Sequence, residues 1–390
     1  MLKKRLFTPG PTPIPEQVML AMAQPIMHHR HPEFGEMFRR VNENLKYLFQ
    51  TQQEVLTLTS SGTGAMEAAV CNLLSPKDRA IFVNAGKFGE RWGEICRAYG
   101  VGTEEIKVEW GDPVDPRLIV DCLRNHSDIK AVFVTHSETS TGVLHDVQEI
   151  ARLVRDNSDA LVVVDGITSV GALELRTDAW GIDVVITGSQ KGLMIPPGLS
   201  FITLSDRAWK RAGQSTLPKY YLDLQRAKKA LDQHETPWTP AVTLLVGLDI
   251  ALGMIRREGV ESVWERHAVL ARAIRGGSEA VGLRLLARSP SNALTAVWIP
   301  AELDAKRFSQ TLKQTYGISV AGGQGQLKGK IFRISHLGYY DELDAVGVIS
   351  ALEMTLRDCG WRFETGAGVR AVQSQMSKAD HTLLTKSAMQ

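Results

Sequence analysis

Lys191 stands just beyond a short apolar run, Val184–Thr187, between Ser189-Gln190 and the glycine- and proline-rich stretch Gly192–Gly198. A lysine becomes a nucleophile only when partly desolvated, because its ordinary pKa of roughly 10.4 keeps the amine protonated at neutral pH. Two readings are open on this stretch alone: a Schiff-base lysine at a strand end, or a surface lysine in a turn. Asp165 closes a second apolar run, Leu161–Val164. A buried acid there is costly without a cation or donor beside it, so Asp165 asks for a partner.

Other polar groups follow apolar runs in the same way. Ser60-Ser61-Gly62-Thr63-Gly64 leads into a helical pattern (Met66, Val70, Leu73, Leu74) and is either a capped helix start or a phosphate cradle of free amides and hydroxyls. It is not a dinucleotide fingerprint, since Glu67 stands where the last glycine would be. Phe88, between glycines in Ala85–Gly89, is a core residue or a plate for a planar ligand. His136–Gly142 gathers hydroxyl and acidic groups where a buried loop would want apolar ones. In Lys330–Ser335, alternation puts Ile331, Arg333 and Ser335 on one side of a strand and Phe332 and Ile334 on the other. Arg333 is then an edge-strand arginine in solvent or a clamp for a carboxylate. His28, His29, Arg30 and His31 lie together, but adjacent histidines diverge and metal-ligand spacing is missing, which favours a polar loop.

These groups need elements to hold them. Ile81–Asn84, Ala131–Thr135, Leu161–Asp165, Val184–Thr187 and Ser200–Leu204 read as strands, and Val147, Ile150, Ala151 and Val154 fall on one helical face. Such alternation predicts a mostly parallel sheet covered on both sides, with chemistry at the carboxyl ends of its strands. Phe7–Pro15 is dense in proline and predicts an extended arm. After Ser205, a long apolar pattern at Leu244–Ile255 leads to a smaller α+β region with strands at Ala293–Ile299 and Lys330–Ser335. Its last helix carries Ala345, Val348, Ile349, Leu352 and Leu356 on one face. Four parts are expected: an arm over 1–20, a large domain over 21–265, a small domain over 266–362, and a polar, disordered tail over 363–390.

Composition limits the function classes. A chain of 390 residues with 44% hydrophobic and 23% charged residues and a net charge of +2 suits a two-domain globular protein. The charge balance favours neither nucleic-acid nor membrane-surface binding, and no segment approaches 18 uninterrupted apolar residues or a signal peptide. The four cysteines are scattered, with no CxxC pair, and read as reduced thiols of a cytoplasmic protein.

A lysine, an acid, an anion cradle and an aromatic plate are what a protein must supply to use pyridoxal 5'-phosphate. In order along the chain, FTPGPTPIP, SSGTGAMEA, NAGKFGERW, HSETSTGV, VVDGITSVG, TGSQKGLMIPPG and FRISHLG resemble the class V, fold type I aminotransferases, nearest the alanine-glyoxylate and serine-glyoxylate group. The resemblance spans roughly Leu6 to Trp361 and implies a large domain with a mostly parallel seven-stranded sheet between helices and a smaller C-terminal α+β domain. It implies catalytic roles for Lys191, as imine-forming amine and base, and for Asp165, paired with the pyridinium nitrogen. Phe88 would stack on the ring, and Ser140 would lie near the phenolic oxygen. Ser61, Gly62, Thr63 and Gln190 would hold the phosphate, with Thr236 reaching in from the second subunit of a homodimer, and Arg333 would bind the substrate carboxylate.

Some relatives carry tryptophan at the position of Phe88 and histidine at that of Thr63, so these contacts should differ in detail. Phe88 in place of a histidine argues against cysteine desulfurases, and the lack of an obvious second arginine favours small partners. The implied reaction is transfer of the amino group of alanine or serine to glyoxylate or pyruvate. An epimerase or lyase on the same cofactor, or a non-catalytic subunit, are the alternatives.

Overall fold

The computed structural model describes residues 2–376. The proline-dense segment Phe7–Pro15 is helix-free, as its composition dictates, but it bends at residues 8–11, where the Thr8 hydroxyl donates to Pro11 O, and structure bounds it on both sides. Before it, β1 (Arg5–Phe7) pairs in parallel with a strand far along the chain. After it, α1 (Glu16–Met22) begins directly behind Pro15, so the arm expected over residues 1–20 ends there. The fixed φ of proline suits the entry to a helix as well as an extended strand. α2 (Pro32–Phe49) follows, buries Phe34, Phe38, Val41, Leu45 and Phe49, and is capped by His31, which accepts the Glu33 amide.

Strands and helices then alternate: β2 (Val55–Leu58), α3 (Gly62–Leu73), β3 (Arg79–Asn84), α4 (Lys87–Ala98), β4 (Gly102–Lys107), α5 (Pro116–Asn125) and β5 (Ile129–Thr135). A small hairpin, β6 (Ser137–Glu138) and β7 (Val143–Leu144), precedes α6 (Val147–Asn157), β8 (Leu161–Asp165), β9 (Val184–Gly188) and β10 (Ser200–Leu204). Seven of these strands form one sheet in the order β2-β10-β9-β8-β5-β3-β4. Neighbours from β9 to β4 run parallel, whereas β10 is antiparallel to both β9 and β2. The exception has a topological cause: the connection from β9 to β10, residues 189–199, contains no helix to carry the chain back across the sheet, so β10 returns antiparallel beside β9. Every residue of β8, β9 and β10 is buried, which accounts for their mostly apolar and β-branched sequences, LVVVD, VVITG and SFITL.

Past the sheet lie α7 (Asp206–Ala212) and α8 (Leu224–Leu231). α9 (Val242–Glu258) and α10 (Val260–Ala280) meet at Gly259, whose φ of 85° only glycine adopts readily. They lead into the second layer: β11 (Leu294–Trp298), α11 (Ala305–Gln310), β12 (Ile318–Gly322), β13 (Ile331–Ser335), α12 (Glu342–Asp358) and α13 (Ala367–Met376). Its sheet has the order β1-β12-β13-β11, so the segment before the arm completes the small sheet. Phe7, Phe308, Phe332, Ile334, Ile349 and Leu352 share its core.

The small unit does not end at residue 362. Residues 367–376, expected within a disordered tail, form α13, which buries Val372 and Met376 against α10 and α12. The Glu353 carboxylate holds its start, accepting amides from Gly366 (3.0 Å), Gly368 (2.7 Å) and Val369 (3.2 Å). The remainder of that tail, 377–390, lies outside the described residues.

Candidate functional site

Lys191 lies three residues past β9, where the sheet presents carboxyl ends. Its Nζ donates to the Pro9 carbonyl at 2.7 Å, and the Thr12 hydroxyl donates to the Lys191 carbonyl at 3.1 Å. The arm thus presses directly on the lysine. Gly10 makes this possible: its φ is +151°, and a Cβ there would fall on the Lys191 amine. Burial pulls the Lys191 pKa down to about 8; the field of Asp165 opposes this, while Arg333 and Arg91 reinforce it. The turn-lysine reading is therefore excluded by burial.

Asp165 ends β8. Its Oδ1 accepts the Ile167 amide at 2.8 Å and its Oδ2 the Thr135 hydroxyl at 3.5 Å. Burial raises its pKa to about 7, with the Ile167 amide pulling the other way, Glu138 adding to the rise, and Arg91 and Lys191 opposing it. The partner this acid asks for is, within the chain, one backbone amide and a weaker hydroxyl bond.

Ser61, Gly62 and Thr63 open α3. Ser61 occupies the N-cap position without making a side-chain cap; its carbonyl takes the Gly64 amide at 2.8 Å, which leaves the amides of Gly62 and Thr63 for another acceptor. Gly62 is packed too tightly for a side chain, because a Cβ would strike Ile167. Gln190 belongs to the same corner: a Cβ added at Gly188 would lie 3.2 Å from Gln190 Oε1 and 3.6 Å from Gly62. That Oε1 is buried without a hydrogen-bond partner.

Phe88 is the second residue of α4, half-buried, and its amide donates to Glu138 Oε2 at 3.1 Å. Ser140 is fully buried; its hydroxyl donates to Glu138 Oε1 at 2.6 Å and accepts the Lys87 amide at 3.0 Å. Glu138, which sequence reasoning left without a role, organises this corner. It also accepts the amides of Gly89 (2.8 Å) and Ser140 (3.1 Å), and burial raises its pKa against those bonds. A carboxylate from another segment thereby takes the place of an N-cap for α4, whose own cap residue, Gly86, has no side chain.

Arg333 projects from β13 as the alternation requires, although all five strand residues are buried. Its Nε and Nη2 donate to Gly322 O at 3.0 and 2.7 Å, and Nη1 to Thr139 O at 2.7 Å. Of the five guanidinium N–H groups, one on each terminal nitrogen stays available to a further acceptor such as a carboxylate. Burial lowers its pKa to about 10. The solvent-arginine reading fails.

Thr236 is different. It is buried in its own turn, donating to Trp238 O at 2.7 Å beside the stacked pairs Tyr220–Trp238 and Tyr221–Trp238. The histidine cluster serves structure: His28 stacks on His29, Arg30 pairs with Glu235, and His31 caps α2. Arg91 was also missed by sequence reasoning. It lies one helical turn after Phe88, with its guanidinium 5.0 Å from the Phe88 ring centroid and Nη1 3.2 Å from Thr63 Oγ1. The i, i+3 spacing from Phe88 was the available signal.

Comparison with known proteins adds the following. The family model described as aminotransferase class-V matches residues 5–346. A Synechococcus sp. (strain PCC 6716) protein named soluble hydrogenase, small subunit, is 46% identical over 97% of this chain and 99% of its own. The serine–glyoxylate aminotransferase of Hyphomicrobium methylovorum is 37% identical over 96% of this chain and 94% of its own. Among solved structures, the ureidoglycine–glyoxylate aminotransferase of Bacillus subtilis superposes with a TM-score of 0.92 at 29% identity, covering 97% of this chain and 99% of that one.

Proposed function

The chain belongs to the class V aminotransferases, and on that premise we propose that it is a pyridoxal-phosphate-dependent transaminase. It moves the amino group of a small amino acid, alanine or serine, to glyoxylate or pyruvate. The residues present fit the cofactor: a helix start without a side-chain cap, an exposed hydroxyl at Ser61, and a buried lysine and acid at neighbouring strand ends. Ser61, Gly62, Thr63 and Gln190 would take the phosphate, Phe88 would stack on the ring, and Ser140 would meet the phenolic oxygen. When bound, the cofactor supplies an electron sink that acidifies the α-carbon of an amino acid.

The chain's own residues do the rest. Arg333 binds and orients the substrate carboxylate through its two available N–H groups. Asp165 would hold a proton at the ring nitrogen through its carboxylate charge, and that cation would in turn oppose the burial that raises the acid's own pKa to about 7. Lys191, with a pKa lowered to about 8, has enough neutral amine near physiological pH to take the α proton and return it. Tyr220 and Tyr221, exposed beside the Thr236 turn, support a homodimer contact at this turn, and Thr236 would have to release Trp238 O to donate to the partner's cradle. The four free thiols support a cytoplasmic setting.

The observation that carries this reading is the buried Lys191 amine beside the arm carbonyl. Mixing the reconstituted protein with single amino acids tests it. Alanine or serine should convert the cofactor's absorption band to the amine form, and glyoxylate or pyruvate should restore it. Turnover without any 2-oxo acid would instead mark a lyase or epimerase, and failure to take up the cofactor would end the proposal.

A further inference from the structure

Arg91 presents a cation without an anion. Its side chain is half-buried, and among the described residues no carboxylate pairs with it. Of the acids near it, Glu90 pairs with Lys87, Glu67 accepts the Tyr99 hydroxyl, Glu138 accepts backbone amides of α4, and Asp165, which feels the Arg91 charge without pairing to it, accepts the Ile167 amide. What Arg91 does touch are two residues of the cofactor site. Its guanidinium lies over one face of the Phe88 ring, and Nη1 donates to Thr63 Oγ1 at 3.2 Å.

That last bond fixes the role of the threonine. A hydroxyl that accepts from a guanidinium keeps its own proton to give, so Thr63 is set as a donor. Thr63 is the second residue of α3, whose leading amides carry no side-chain cap. The partial charge of a helix start is modest, whereas a guanidinium adds a full charge. A charge, an oriented hydroxyl and free amides therefore meet at one corner.

We propose that Arg91 is a positioning residue of the phosphate subsite, orienting the Thr63 hydroxyl and supplying the positive charge that makes this protein select phosphorylated over unphosphorylated pyridoxal. The inference rests on the cofactor reading above. It also leaves a substrate's distal carboxylate without a second arginine, because the bond to Thr63 ties Arg91 to the cradle.

The test compares the affinity of the full-length apoprotein for pyridoxal phosphate and for pyridoxal, which differ only by the phosphate. In Arg91→Met, pyridoxal phosphate affinity should fall about 10- to 100-fold while pyridoxal affinity changes by less than about twofold. Arg91→Lys should recover part of the loss. Combining Arg91→Met with Thr63→Val should add little to Arg91→Met alone, since one residue works through the other. Equal losses for both ligands, or no loss, overturn the proposal. If Arg91→Met does not fold, Arg91→Lys and Thr63→Val carry the same comparison: a shrunken preference for the phosphorylated ligand supports the role, and an unchanged one refutes it. A wild-type protein that binds neither ligand overturns the transaminase reading and this inference together, whereas wild-type selectivity that survives in Arg91→Met overturns the inference alone.

Discussion

The Lys191 amine is hydrogen-bonded to the carbonyl of Pro9, 182 positions away in sequence, at 2.7 Å. The arm is thus part of the lysine's surroundings, and Gly10 is the point at which it can be disturbed most selectively. Gly10→Ala should displace the Lys191 side chain, because the new methyl occupies the amine's position at a φ of +151°. Turnover should fall about 100-fold or more, as misplacement of a catalytic group does. Borohydride reduction should then fix much less cofactor covalently. Normal fixation and turnover would separate the arm from the chemistry.

Asp165 gives a pH signature with a definite sign. Its pKa in the folded protein, about 7, lies above the ordinary carboxylate value of roughly 3.9 in an unfolded chain. Between these values the folded protein keeps a proton that the unfolded chain has released, so this group's contribution to stability falls as pH rises from about 4 to about 7. The apoprotein carrying Asp165→Asn should exceed the wild type in stability at pH 8 by about 1–3 kcal/mol, with the difference vanishing near pH 4. Denaturant titrations across that range check it; a constant offset would show that Asp165 is not the group responsible. Cofactor affinity should move the opposite way.

Arg333 can be tested against the carboxylate it is proposed to bind. Arg333→Lys keeps a charge but loses the fork that bonds Gly322 O and Thr139 O while leaving two N–H groups free. KM for alanine should rise about 10- to 100-fold. Preference for alanine over ethylamine, which lacks the carboxylate, should shrink by a similar factor. An unchanged preference would place the carboxylate elsewhere.

Glu353 governs the last described helix. Three amides at the start of α13 converge on its carboxylate, so Glu353→Ala should cost about 2–3 kcal/mol in denaturant unfolding. Residues 367–376 should also lose amide-exchange protection. Retained protection there would mean that Val372 and Met376 suffice to hold the helix.

Legibility of the sequence followed burial. Leu161–Asp165 and Ser200–Leu204 could be read to the residue because interior strands buried on both faces are dense in apolar and β-branched residues. β4, with the sequence GTEEIK, could not, since an edge strand tolerates charges along its length. α13 was hidden by its glycine and polar residues, and only Val372 and Met376 at i, i+4 marked a buried side. In the site, Arg333 was legible from strand alternation and Lys191 from its position past a strand. Glu138 was not, because the amides it holds, at Phe88 and Gly89, lie about 50 positions earlier, and nothing in its own neighbourhood records them. Arg91 likewise takes its meaning from Thr63 on a different helix.

The pairing of Arg5–Phe7 with Ile318–Val320 sets a timetable for synthesis. At about 5–20 residues per second, β1 waits roughly 15–60 s on the ribosome before its partner strand exists. During that interval Phe7, a core residue of the finished small layer, has no core to enter. The same segment holds the contacts to Lys191 through Pro9 and Thr12. A nascent chain therefore completes the lysine's surroundings only after nearly all of its sequence has emerged, so premature termination leaves the Lys191 amine without its arm in place.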